Sequence, residues 1–164
     1  MINLAEIIRQ LSANAKVIHS LALAFPEAHT QWTPNPQTWA MKDVMEHVYN
    51  EERGDFRKRL KVMWGQASTE EYRKTESCRQ ALEGFLEERE VSLAWLRSLD
   101  APDWDASLLM HFGPEQTPFT LSAGEALVSW VDHDFLHIRQ MVELLHAWNE
   151  QQASPYSVRY AGEW

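Results

Sequence analysis

Three histidines have the type and spacing to do chemistry. His47 lies in the run WAMKDVMEHVYNEE, and His133 and His137 lie in SWVDHDFLHIRQ. An i, i+4 pair on an α-helix stacks two imidazoles one turn apart, about 40° from each other around the axis. His47 belongs to a separate stretch. If the two stretches face one another, three neutral imidazoles converge on one divalent cation. Three protein ligands leave coordination positions open, the layout of a catalytic rather than a structural metal site. A cation held there lowers the pKa of a water or thiol in an open position, creating a nucleophile near neutral pH. Imidazole donors suit zinc, nickel, iron or copper, so the donor set does not choose the ion.

Glu51 follows His47 by one helical turn. It is a candidate to orient His47, to act as a base beside the metal, or to form a plain salt bridge. Asp55 continues the same stripe, and Arg9, Arg59 and Arg139 are possible ion-pair partners for the two carboxylates. Gln140 sits one turn beyond His137 as a hydrogen-bonding neighbour. The plain alternative is that a histidine on a core-facing stripe is a satisfied boundary residue, and that an i, i+4 pair caps a polar groove.

Helical periodicity supplies the elements that would position these groups. Leu4, Ile7, Ile8, Leu11, Ala15, Ile18 and Ala22 mark a first helix, which Phe25-Pro26 ends. After a connector with Pro34 and Pro36, Thr38 is a candidate N-cap for a second helix from Trp39 to Met63, stopped by Gly65. Its apolar stripe holds Met41, Val44, Val48, Phe56 and Leu60. A third helix is expected over residues 70–99, with Leu82, Phe85, Leu86, Leu93 and Leu96 inward, broken at Asp100-Ala101-Pro102. Residues 104–120 contain Gly113, Pro114 and Pro118 and suit a short hairpin or an ordered loop. Ser122 and Glu125 form a capping box for a fourth helix reaching about Asn149. On that helix Trp130, Met141 and Leu144 point nearly the same way as His133 and His137. The expected fold is therefore an all-α four-helix bundle, in one domain spanning residues 1–164.

Composition narrows the partners. The chain has 15 basic and 24 acidic residues and a formal charge of −9. No basic stripe is available for nucleic acid, and an anionic membrane surface is equally disfavoured. No run approaches the length of a membrane span and the first residues lack a signal-peptide core, so the expected location is the cytoplasm. Cys78 is the only cysteine and builds neither a disulfide nor a thiolate metal site alone.

Two other metal architectures compare poorly. A di-iron carboxylate bundle needs two Glu-x-x-His motifs. Glu143 and His146 make one, but His146 points away from His133 and His137. A hemerythrin-like site would need further histidines in register, for which His19 and His111 are the weak candidates.

The ordered set of Trp39, His47 and Glu51, an irregular segment at residues 103–122, the His133-x-x-x-His137 motif with Gln140, and the aromatic tail PYSVRYAGEW resembles the DinB-like superfamily. The resemblance covers nearly the whole chain. It implies an up-up-down-down bundle with a long crossover before the last helix. It implies metal ligation by His47, His133 and His137, with zinc or nickel favoured and iron or manganese possible. It implies homodimers in many members, and a small-molecule substrate. Activities in the family include thiol S-transfer with low-molecular-weight thiols and a mycothiol-dependent isomerisation. The functional expectation is a metal-dependent S-transferase or hydrolase; the alternative is a non-catalytic interaction module.

Overall fold

A computed structural model describes residues 2–66, 70–111 and 117–164. Helix α1 spans Leu4–Ala24, and Asn3 caps it by accepting from the Glu6 amide. The second rod is composite: α2 over Met41–Glu51, a π-helical stretch Glu52–Phe56, and α3 over Arg57–Met63. Its start is set by Ala40, whose amide donates to the Asp43 carboxylate at 3.0 Å, and not by Thr38. Gly65, at φ +73°, follows α3 in the left-handed conformation that favours glycine.

Helix α4 spans Cys78–Arg97, beginning later than residue 70 because Ser77 caps it. Residues 70–77 find their partners outside any helix. Asn50 exchanges hydrogen bonds with the Arg73 backbone, and Glu46 accepts from the amide and hydroxyl of Thr75 and from the hydroxyl of Tyr72. Arg53 reaches the Glu71 carbonyl and pairs with Glu70 at 2.6 Å. The contacts step from Arg53 to Asn50 to Glu46 as the segment advances, so this stretch runs back along α2. Burial tends to raise the Glu46 carboxyl, but the bonds from Thr75 and Tyr72 outweigh it and bring it down to about 2.

Strands β1, Ser107–Met110, and β2, Phe119–Ser122, pair antiparallel, with Ser107 opposite Ser122 and Met110 opposite Phe119. The hairpin option is the one adopted; Gly113 and Pro114 lie outside the described residues. Ser122 and Glu125 form the expected reciprocal cap on α5, which spans Ala123–Ala153 and runs four residues beyond Asn149. No helix among the described residues is long and apolar enough to cross a membrane.

Two apolar clusters fix the helix directions. One joins the end of α1 (Ile18, Ala22), the start of α2 (Met41, Val44, Met45, Val48), the start of α4 (Ala81, Leu82, Phe85) and the later part of α5 (Met141, Leu144). The other joins Leu11 of α1, Leu60 of α3, Leu93 and Leu96 of α4, and Ala126, Leu127 and Trp130 of α5. The first helix and α5 therefore run one way, and the second rod and α4 the other. This up-down-down-up course corrects the up-up-down-down order implied by the resemblance. The crossover moves with it: residues 70–77 run back along α2 to the start of α4, whereas the end of α4 and the start of α5 meet in the same cluster. Each large side chain sealed in these clusters contributes on the order of 1.5–3 kcal/mol.

Gly84 marks where α4 comes close to α2. A Cβ there would lie 2.8 Å from the Tyr49 ring. Tyr49 is buried and its hydroxyl accepts from Arg73, so the ring cannot swing aside freely. Gly84→Ala is expected to lower stability by about 1–2 kcal/mol despite alanine's better helix propensity. Urea denaturation measures this; a gain in stability would show that the ring yields.

Candidate metal centre

His47 is carried by α2, and His133 and His137 by α5, which packs beside it. Asp43 caps α2 and the Ser122–Glu125 box starts α5, so both histidine-bearing helices are anchored upstream. His47 Nε2 lies 3.2 Å from His133 Nε2, and His137 Nε2 lies 3.1 Å from His133 Nε2. Ligands of a tetrahedral ion with bonds of about 2.0–2.1 Å stand roughly 3.3 Å apart. The three nitrogens therefore have the spacing of ligands on one ion. Among the described residues this is the one group of three or more His, Cys, Asp or Glu whose donor atoms could hold a metal.

The outer ring atoms are held as well. His137 Nδ1 is 2.9 Å from Gln140 Oε1, an acceptor, which keeps the proton on Nδ1 and leaves the Nε2 lone pair facing the cluster. Glu51 Oε1 lies 4.0 Å from His47 Nδ1, beyond a direct hydrogen bond but close enough to favour a proton there. Trp39 stands edge-on to His47 and parallel to His137, with centroids 5.1 and 6.4 Å away. Phe56 supports His133 from below at 5.1 Å and stacks on Trp130.

All three imidazoles are held neutral. Burial pushes His133 down to about 3, aided by the repulsion that protonated His137 or His47 would exert and by the charge on Arg89. Burial also lowers His47, against the pull of Glu51, and lowers His137, against Gln140 and Asp134. Neutral imidazole is the form that ligates metal. The metal-free chain thus binds fewer protons than its unfolded state at pH values below the ordinary 6.5. Its stability is complete above that value and declines as pH falls beneath it. Between pH 7 and pH 5 the Tm is expected to drop on the order of 5 °C. His133→Gln should flatten that slope; an unchanged slope would mean another group sets it.

Glu51 also lines a cleft of about 210 Å³ with Asn50, Gly54, Asp55, Arg59 and Tyr72. There Asp55 pairs with Arg59, while Arg9 and Arg139 are engaged on the surface by Glu6 and Glu143. A larger hollow of about 670 Å³, lined in part by Trp64, Trp95 and Asp103, shares no residue with the histidines. His146 stacks on Trp164 and lies 3.7 Å from Glu150, so it serves the tail and not the centre. His19 and His111 also stay outside the cluster. Cys78 is buried, and burial pushes its thiol up to about 11.

Sequence reasoning missed the layer beneath the histidines. Arg89 of α4, Glu52 of the π stretch and Asp134 of α5 form a sealed ion cluster, and Trp130 Nε1 donates to Glu52 Oε2 at 2.9 Å. One signal was available: Asp134 falls four residues after Trp130 and three before His137, on the inward stripe of α5.

A helical bundle presenting three convergent imidazoles from two adjacent helices defines a class of proteins able to hold a single metal ion inside the bundle. The DinB superfamily profile matches residues 10–141, and the chain belongs to the DinB superfamily. A comparison with curated proteins finds no significant match.

Proposed function

We propose that this DinB superfamily protein is a mononuclear metal-dependent enzyme whose ligands are His47, His133 and His137. The observation that carries the reading is the 3.1–3.2 Å spacing of their Nε2 atoms, with His137 Nδ1 turned to an acceptor. Such an ion, with zinc or nickel favoured, would supply a Lewis acid that activates a water or thiol. Gln140 orients His137. Glu51 favours a proton on His47 Nδ1 and faces the adjoining cleft, where it is placed to exchange a proton with a small-molecule substrate. Trp39 and Phe56 shield the imidazoles from water. S-transfer to or from a low-molecular-weight thiol is the reaction class we favour, with hydrolysis second.

Apolar side chains left exposed on α5, Val128, Phe135 and Leu136, favour a second reading, a non-catalytic module that pairs as a homodimer. Metal analysis after dialysis, on untagged protein loaded with zinc, nickel, manganese or iron, separates the two. One equivalent retained supports the enzyme and directs a screen of thiols against electrophiles. No retained ion under any loading overturns it in favour of the module.

A further inference from the structure

The ion cluster beneath the histidines is sealed and unbalanced in charge. Arg89 donates from Nη1 and Nη2 to the two Asp134 oxygens at 2.8 Å each, and its Nη2 lies 2.8 Å from Glu52 Oε2. Nη1 also donates to the Leu11 carbonyl at 2.8 Å. The three side chains are only 1–2% exposed. One guanidinium against two carboxylates leaves one negative charge over, and Glu52 Oε1 has no hydrogen-bond partner. The nearby arginines are spoken for: Arg53 pairs with Glu70, and Arg57 with Glu88. A buried net charge is costly and persists where something compensates it.

The position of the cluster indicates what does. Asp134 directly follows His133 and precedes His137 by three residues, while Glu52 follows His47 by five. Arg89 reaches both from a third helix. The chain Glu52–Trp130–Phe56–His133 is continuous through a hydrogen bond, a ring stack and an edge contact.

We infer that Glu52, Arg89 and Asp134 form a positioning and charge-balancing base for the three-histidine centre, holding a surplus negative charge that a divalent cation neutralises. The inference rests on the metal reading of His47, His133 and His137. Arg89 fixes the separation of the two ligand-bearing helices, and the surplus charge raises their affinity for a cation over that of three neutral imidazoles alone.

The test is zinc affinity by chelator competition, with the visible spectrum of the cobalt-substituted protein, in wild type and Glu52→Gln. Glutamine keeps the shape and can still accept from Trp130. The expected result is a Kd weakened roughly tenfold, with a shifted cobalt spectrum and a metal-free Tm unchanged or raised. A purely structural cluster would move the Tm and leave affinity and spectrum alone. A folded Glu52→Gln variant with Kd within twofold of wild type overturns the inference; if that variant does not fold, Asp134→Asn is read by the same criterion. Wild type that binds neither ion is a distinguishable failure, because it overturns the metal reading itself and this inference with it.

Discussion

His137→Ala should abolish stoichiometric zinc binding while leaving the helices folded. His137 is the most enclosed of the three histidines and the one whose tautomer is fixed, by Gln140. Two histidines remain after its loss, one on each of two helices, and affinity is expected to fall by at least ~100-fold. The metal-free protein should change little, by about 1 kcal/mol, because truncation also relieves the crowding of three unprotonated nitrogens. Wild type should gain about 2.7 kcal/mol of stability at zinc concentrations of 100 times its Kd, and the variant none. Elemental analysis after dialysis, with thermal melts at graded zinc, reads both effects. Equal metal retention and an equal zinc-induced Tm gain in the variant would refute the triad.

Arg89→Ala should be the most damaging single change to folding. It removes the guanidinium that faces two sealed carboxylates and takes a side-chain donor from the Leu11 carbonyl. Breaking a buried ion cluster from one side costs about 3–5 kcal/mol, a large part of the 5–15 kcal/mol that typically holds a domain together. Urea unfolding measures it. A loss under about 1 kcal/mol would mean that water reaches the cluster and screens it.

The histidine pair was legible because helical period projects it, whereas joining His47 to the pair rested on the family resemblance. Four residues separate His133 from His137, and Trp130, Met141 and Leu144 tell which face looks inward. The Ser122–Glu125 box gave the start of α5 for the same local reason. What escaped notice depends on partners far away in sequence. Residues 70–77 carry no mark of the bonds that hold them extended, since Glu46 and Asn50 lie more than twenty residues upstream. The helix directions were hidden with them, because that segment is the one that runs back along α2 to the start of α4. Arg53, Arg57 and Arg89 look like ordinary surface arginines until the opposing helices supply Glu70, Glu88, Glu52 and Asp134.

The π-helical stretch Glu52–Phe56 makes the second rod two rulers joined out of phase. A strict α repeat carrying Met41, Met45, Val48 and Glu52 inward would continue to Phe56 and Arg59. Glu52 and Phe56 do pack inward, but Arg53, Arg57 and Leu60, each one residue later, are buried as well. An extra residue within a helix advances everything after it by about 100°. Before the join, the rod turns His47 toward the imidazoles of α5; after it, the rod turns Leu60 into the second apolar cluster and Arg57 toward Glu88. The irregularity widens the inward face of the rod, so that one element presents His47 near one end and seals the second apolar cluster at the other.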